Sequence, residues 1–285
     1  AGQVGQFQDA LDDRTPLCPG DAERRRQWQH RLKAQTSATF DRVVVRGLVS
    51  VLDYEYGTDL DPVNVAFADR SDLQAGGDLG WRQSPTSLWL AGVRAGRQVQ
   101  AIVPLPNCEF DYSNRYQRLA FGWEGAPSSP LSIALLAGPD FRHYSGAIDP
   151  RVFADRDRTS LWAEGSLTAK PTSSLTLTGR LARFEWLSST GKSAYRDSCA
   201  ELGLTWNVRP GWTARSTAKI HRCDYYPAAR DDWEAFFSAG VSRPLPRHAT
   251  LTFDVTRHRA WNNLAAFPER NFGRWIFSVG LAWKN

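Results

Sequence analysis

Residues 273–285 read Gly-Arg-Trp-Ile-Phe-Ser-Val-Gly-Leu-Ala-Trp-Lys-Asn. Trp275, Phe277, Val279, Leu281 and Trp283 alternate with Arg274, Ile276, Ser278, Gly280 and Ala282, a period of two that specifies a strand. The apolar face carries aromatic rings near both ends, and the other face is small or polar. A strand of a membrane-spanning barrel has this layout, because one face meets lipid and the rings sit at the two interfaces.

Working backward, the same alternation recurs at close spacing. Trp233, Ala235, Phe237, Ala239 and Val241 form one face against Glu234, Ser238 and Gly240. Ala249, Leu251, Phe253 and Val255 oppose Thr250, Thr252 and Asp254. Leu161, Ala163, Gly165 and Leu167 oppose Trp162, Glu164, Ser166 and Thr168. Leu175, Leu177 and Leu181 oppose Thr176, Thr178 and Arg180, and Leu202, Leu204, Trp206 and Val208 oppose Glu201, Thr205 and Asn207. Repeated period-2 segments with short turns between them predict an all-β fold.

Composition agrees with that reading. No apolar run approaches the roughly 18 residues a membrane helix needs. A barrel crosses a bilayer with strands of about 10 residues, half of whose side chains face inward and tolerate polarity. Methionine is absent throughout the 285 residues, including position 1, and no charged-then-apolar leader precedes Ala1, so the chain is expected to be a mature form after signal-peptide removal. Lys170-Pro171-Thr172-Ser173, Arg209-Pro210-Gly211 and Arg243-Pro244-Leu245-Pro246-Arg247 are tight turns; Ser188–Asp197, Asp224–Asp232 and Asn262–Asn271 are longer, charged connections. Short on one side and long on the other is the asymmetry of bacterial outer-membrane barrels.

Seven strands follow Arg158. Further strands near 131–138, 115–124, 97–106, 85–94 and 40–54, with turns at Gly125–Pro130 and Ala95-Gly96-Arg97, bring the expected total of this transmembrane antiparallel up-and-down β-barrel to about twelve. Ten or fourteen also satisfy the pattern, and Val63–Trp81 reads either as a long loop or as one more hairpin. The expected division is residues 37–285 as the barrel and 1–36 as a periplasmic tail or plug segment. Within the latter, Asp21 caps a short helix whose apolar seam is Ala22, Trp28 and Leu32.

Parity sends Arg118, Glu164, Arg180, Glu201, Arg215, Lys219, His221, Glu234, Asp254 and Arg274 to the lumen. Mixed signs in that set fit either a lumen closed by cross-strand ion pairs or an aqueous path lined by a charge ladder. The inward cluster Arg215, Lys219, His221 and Arg274 predicts a slight preference for anions in a conducting form. Cys199 and Cys223 share inward parity and are equidistant from Gly211, so a cross-strand disulfide is expected between them; in the entropic view such a loop of about 24 residues is stabilised by roughly 3 kcal/mol. Cys18 and Cys108 carry no comparable argument. No Cys-x-x-Cys or clustered His-Cys spacing calls for a metal, and no cofactor motif is present.

Net charge is +5, and only five of the 35 basic residues are lysine. The arginines are scattered through strands and loops with no basic helix or stacking motif, which argues against nucleic acid as a partner. Outer-membrane lipid and lipopolysaccharide are the expected contacts, with other envelope proteins and the oligomeric state left open. Most tryptophans, among them Trp89, Trp123, Trp206 and Trp283, fall near strand ends, as interfacial girdles do.

One constellation suggests chemistry. His143-Tyr144-Ser145 carries His143 and Ser145 on the lipid-facing parity of Leu131, Ile133 and Leu135, and Asp157 shares the parity of Leu161 on the next strand. A serine activated by a histidine, itself held by a polar partner, is a nucleophile. This resembles outer-membrane phospholipase A, a twelve-stranded family with a His-x-Ser pair and an orienting Asn twelve residues after the Ser. The resemblance implies His143, Ser145 and Asp157 as a catalytic set for lipid hydrolysis. It covers about fifteen residues, and the family's Asn-Gly after the serine is replaced by Gly146-Ala147. The chain as a whole resembles porin-type barrels, which implies passive passage of small solutes or a structural and assembly role in the bacterial outer membrane.

Overall fold

The computed structural model describes residues 27–56, 69–101, 111–145, 157–187, 194–226, 230–246, 248–263 and 271–283. They form thirteen β-strands in one sheet whose spatial order is the order of the chain: β1 (Gln27–Phe40), β2 (Val43–Tyr56), β3 (Arg70–Ser84), β4 (Ser87–Gln100), β5 (Asn114–Ser128), β6 (Leu131–Tyr144), β7 (Asp157–Thr172), β8 (Leu175–Leu187), β9 (Ala194–Arg209), β10 (Trp212–Tyr226), β11 (Arg230–Leu245), β12 (Ala249–Asn262) and β13 (Phe272–Trp283). Every neighbouring pair is antiparallel. This is the up-and-down fold the alternation predicts.

Burial separates the two faces. On β4, β5 and β6 the even residues are buried: Leu88, Leu90, Arg94 and Gln98, then Asn114, Tyr116, Arg118 and Ala120, then Asp140, Arg142 and Tyr144. The odd residues form an exposed belt that includes Trp89, Val93, Leu119, Phe121, Leu135, Phe141, Leu161, Leu181, Phe237 and Phe253, and on β9 the even Leu202 continues it. So wide an apolar surface is far beyond what a water-soluble monomer presents, and on a sheet it is the surface a bilayer covers. The buried face is concave, because it brings together strands that are not neighbours: Arg46 on β2 forms a two-pronged pair with Glu124 on β5 at 2.6 and 2.7 Å.

Three expectations need correction. Trp28 and Leu32 belong to a strand, β1, which starts within the segment expected to be a tail or a helix; with Phe40 they continue the exposed apolar belt. The thin helical seam was two residues of a strand face seen without their strand partner. Val63–Trp81 contributes strand β3 from Arg70 onward. Ala95-Gly96-Arg97 is no turn: β4 runs straight through it, and the count becomes thirteen.

The glycine at 96 has a packing reason. A Cβ there would stand 2.3 Å from the Tyr116 ring and 2.7 Å from the Leu73 carbonyl oxygen, so the ring lies flat on bare backbone. Gly96→Ala is therefore expected to push Tyr116 aside and destabilise by about 1–3 kcal/mol, the usual cost of overpacking. A denaturant titration of the refolded protein measures it, and an unchanged midpoint would show that the ring has slack.

At the strand ends the connections alternate in length. Two residues join β1 to β2, β3 to β4, β5 to β6, β7 to β8 and β9 to β10, with Asp41 at φ 52° and Gly211 at φ 77° supplying left-handed turn conformations. The opposite ends carry the longer connections, apart from the three residues that join β10 to β11. β1 and β13 each pair on one side only among the described residues, and twelve antiparallel steps leave them running in the same direction, so the sheet is open between them among those residues.

Candidate functional site

The interior at the long-connection end is filled by one polar network. Arg118 on β5 donates through Nε to Asp140 Oδ2 on β6 at 2.9 Å, and Arg142 reaches the same oxygen from Nη2 at 2.9 Å and Nε at 3.2 Å. Arg142 Nη1 also donates to Gln98 Oε1 at 2.8 Å and to Asn114 Oδ1 at 3.3 Å. Both guanidinium groups lie over the Tyr116 ring, 4.3 and 4.9 Å from its centroid, while the Tyr116 hydroxyl donates to Asp72 Oδ1 at 2.9 Å. Period-2 placement puts these side chains on one face; their neighbours across the ladder, Arg94 beside Arg118 and Arg118 beside Asp140, are set by register.

Glu185 enters this network from the other side. The β7–β8 ladder ends at Ala163 opposite Arg183, whereas β8 stays paired with β9 up to Leu187 opposite Ala194. The tip of the β8–β9 hairpin thus leans into the interior. Gln98 Nε2 donates to the Glu185 carbonyl at 3.1 Å, and Arg70 on β3 donates to the carbonyl of Leu187. The Glu185 carboxylate, on a side chain 1% exposed, accepts from the Tyr144 hydroxyl at 2.8 Å and lies 4.0 Å from Arg142 Nε. Tyr144 and Tyr226 hydroxyls are 3.3 Å apart, and Arg158 sits over the Tyr226 ring at 3.5 Å. Trp186 meets Tyr54 of β2 edge-on at 6.1 Å between centroids. Among the described residues this end is closed by side chains of the wall together with the end of β8, two of whose carbonyls accept hydrogen bonds from across the interior.

The short-turn end is open by comparison. A cavity of about 430 Å³ lies there, lined by Arg46, Arg82, Ser87, Glu124, Ser166 and Thr168 among others. Its walls are mixed, with Leu88 and Ile133 beside the polar groups, and the bidentate Arg46–Glu124 pair forms part of them.

Register aligns several of the residues expected in the lumen across neighbouring strands, with Glu164, Arg180, Arg215 and Arg274 among the exposed ones. Glu164, Ala182, Cys199, His221 and Glu234 stand in one row across β7 to β11, and Arg180, Glu201 and Lys219 form a charge ladder one pair along. Arg215 reaches past Gly240 to Asp254 with three contacts of 2.7–3.0 Å; a Cβ on Gly240 would meet Asp254 Oδ1 at 2.0 Å. Arg274 Nε donates to His258 Nδ1 at 3.2 Å, and His258 Nε2 contacts Glu234. These pairings neutralise much of the cationic cluster on which anion preference was expected.

Cys199 and Cys223 are on the same face but do not oppose each other: Cys199 stands across from His221, and Cys223 from Asp197. The pair carries no disulfide here. The turn is centred between Pro210 and Gly211, and a bulge at Trp212/Thr213 removes a further residue from the register, so symmetry about Gly211 fails by one pair. Cys18 and Cys108 lie outside the described residues.

On the exterior, His143 Nδ1 and Asp157 Oδ1 are 2.6 Å apart, as a histidine with an orienting carboxylate would be. The Ser145 hydroxyl, however, donates to the Ser113 carbonyl at 3.4 Å, the same oxygen that accepts from the Ser145 N–H at 3.1 Å. That serine is committed to the backbone of the β5 entry.

Asp140, Arg142 and Tyr144 were missed because β6 was expected to end at 138; their even parity would have placed them inward. Glu185 and Leu187 have odd parity, which on β8 points outward, and only the inward lean of the hairpin buries them. No local sequence signal marks that lean.

No family model matches this chain, and no curated protein matches it. Solved structures do. The chain superposes on the copper transporter OprC with a TM-score of 0.52 and 12% identity, over 92% of this chain and 50% of that one. On the FrpB iron transporter from Neisseria meningitidis (F3-3 variant) the score is 0.51 with 10% identity, over 90% of this chain and 48% of that one. The chain thus spans about half the length of these structures, and at such identities the likeness is one of fold. The fold is that of an antiparallel up-and-down transmembrane β-barrel.

Proposed function

We propose that the protein is an outer-membrane barrel that passes small polar solutes passively through a constricted interior. The observation that carries this reading is the contrast between the two ends of one polar face: a cavity of about 430 Å³ at the short-turn end and, among the described residues, a closure at the other built from wall side chains and the inward-leaning end of β8. Most of the contacts that hold this closure are between side chains, which can part without unpairing a strand, so transient opening is part of this reading. The exposed apolar belt supports a bilayer location, and the surroundings proposed for it are outer-membrane lipid and lipopolysaccharide.

Single-channel recording in planar bilayers tests it. Small, ohmic conductance steps are expected, and replacing Asp254 by Asn should shift the reversal potential toward anions by freeing Arg215 from its carboxylate. Absence of any conductance from protein shown to be folded and inserted would favour a structural barrel instead.

A further inference from the structure

Asp197, His221 and Cys199 form a linear relay on the inner face of β9 and β10. Asp197 Oδ1 lies 3.1 Å from His221 Nδ1, and His221 Nε2 lies 3.7 Å from Cys199 Sγ, within hydrogen-bond reach for sulfur. The arrangement follows from register: Cys199 opposes His221 directly, and Asp197 is the next inward residue on the same strand. His221 and Asp197 side chains are largely shielded, at 18% and 12% exposure, whereas Cys199 is only half-buried and faces the interior. With Nδ1–H donating to the carboxylate, Nε2 faces the thiol and is placed to hold its proton, the geometry that activates a sulfur nucleophile. Among the described residues no three His, Cys, Asp or Glu side chains converge as metal ligands.

We propose that Cys199 is a nucleophilic thiol that undergoes exchange with small organic disulfides entering the barrel interior. The Sγ proton lies on His221 Nε2, in a ring held by Asp197, and the Cys199 thiolate beside it attacks one sulfur of the disulfide. A new S–S bond forms to Cys199, the reagent's own S–S bond breaks, and the departing thiolate receives the proton back from His221. One disulfide is consumed and one is made, so no other oxidant is required. Asp197 acts as a positioning residue that holds the ring with Nε2 toward sulfur. The charged groups around the ring are Lys219 on its own strand, Asp197 and Glu201 on β9, and Glu234 across β11; Glu234 is engaged by His258, and Lys219 opposes Glu201. Ala182, opposite Cys199 on β8, adds no charge. Cys223 has no histidine opposite it and serves as an internal comparison.

The test uses the full chain folded in detergent at pH 7 with 2-hydroxyethyl disulfide as the probe, and mass spectrometry to locate the adduct. Cys223→Ser is expected to react at Cys199 at least tenfold faster than Cys199→Ser reacts at Cys223. His221→Ala should lose that advantage and regain part of it with added imidazole, which a purely structural role for the ring would not produce. Asp197→Glu should retain more of the rate than Asp197→Ala. Equal rates at the two cysteines, or a His221→Ala variant as fast as the parent, would overturn the proposal. The result is independent of whether the barrel conducts, because the probe reaches the interior in detergent.

Discussion

Arg142→Ala is expected to destabilise the barrel by about 3–5 kcal/mol, the cost of removing one partner from a buried ionic network and stranding the other. Asp140 would keep Arg118 but lose two donor contacts, and Glu185 would keep the Tyr144 hydroxyl while losing its nearest cation. Gln98 and Asn114 would lose a shared donor as well. The comparison variant is Arg215→Ala, whose pair with Asp254 is considerably more exposed and should cost no more than about 1 kcal/mol. Urea titrations of both variants in the same detergent separate the two cases. If they shifted the midpoint equally, the closure at the long-connection end would not be the dry, mutually dependent network described. A destabilised closure should also open more readily, so Arg142→Ala that still inserts is expected to show larger conductance steps than the parent.

Leu202→Arg should impair membrane insertion more than any inward substitution. Leu202 is 67% exposed, lies mid-strand on β9, and faces outward with Leu181 and Phe237 in the apolar belt. An arginine near the bilayer midplane of a barrel costs about 2–4 kcal/mol, falling toward zero at the interfaces. Thr205→Arg, three residues along and on the opposite face, would add one more charge to an interior that already holds Arg180, Glu201 and Arg215, and should be tolerated. Refolding yield into lipid vesicles, scored by the shift in gel migration between heated and unheated samples, distinguishes them. Equal yields would mean that the belt does not face lipid, which would remove the basis for a membrane location altogether.

The Leu202→Arg prediction depends on which face a residue occupies, and that much was legible from residue type and parity. Strands β7 to β13 were located from alternation, and the inward assignment of Arg118, Glu164, Arg180, Glu201, Arg215, Lys219, His221, Glu234, Asp254 and Arg274 needs nothing beyond counting by twos. β1 and β3 were less legible. β1 carries only Trp28, Leu32 and Phe40 as large apolar residues on its outer face, too sparse to display a period, and β3 has Gly76, Gly77 and Gly80 where larger residues would have marked it. Gly96 misled in the other direction: glycine marks turns in most sequences, but here it makes room for a tyrosine ring.

The sequence by itself determined an antiparallel sheet with one lipid-compatible face, one polar face, short turns at one end and long connections at the other. A period of two is a local property of the chain, and composition at each parity states which medium each face prefers. Only the tertiary structure decided who meets whom on the polar face. The displacement of Cys199 from Cys223 comes from a turn centre and a bulge at Trp212/Thr213, each shifting register by a residue without changing composition. The joining of Arg142 to Glu185, and of Arg70 to Leu187, comes from a hairpin tip that leaves its neighbour β7 and crosses the interior. Such contacts span strands that are distant both in sequence and along the sheet, so they depend on how the sheet curls, and no local pattern of residues encodes that curvature.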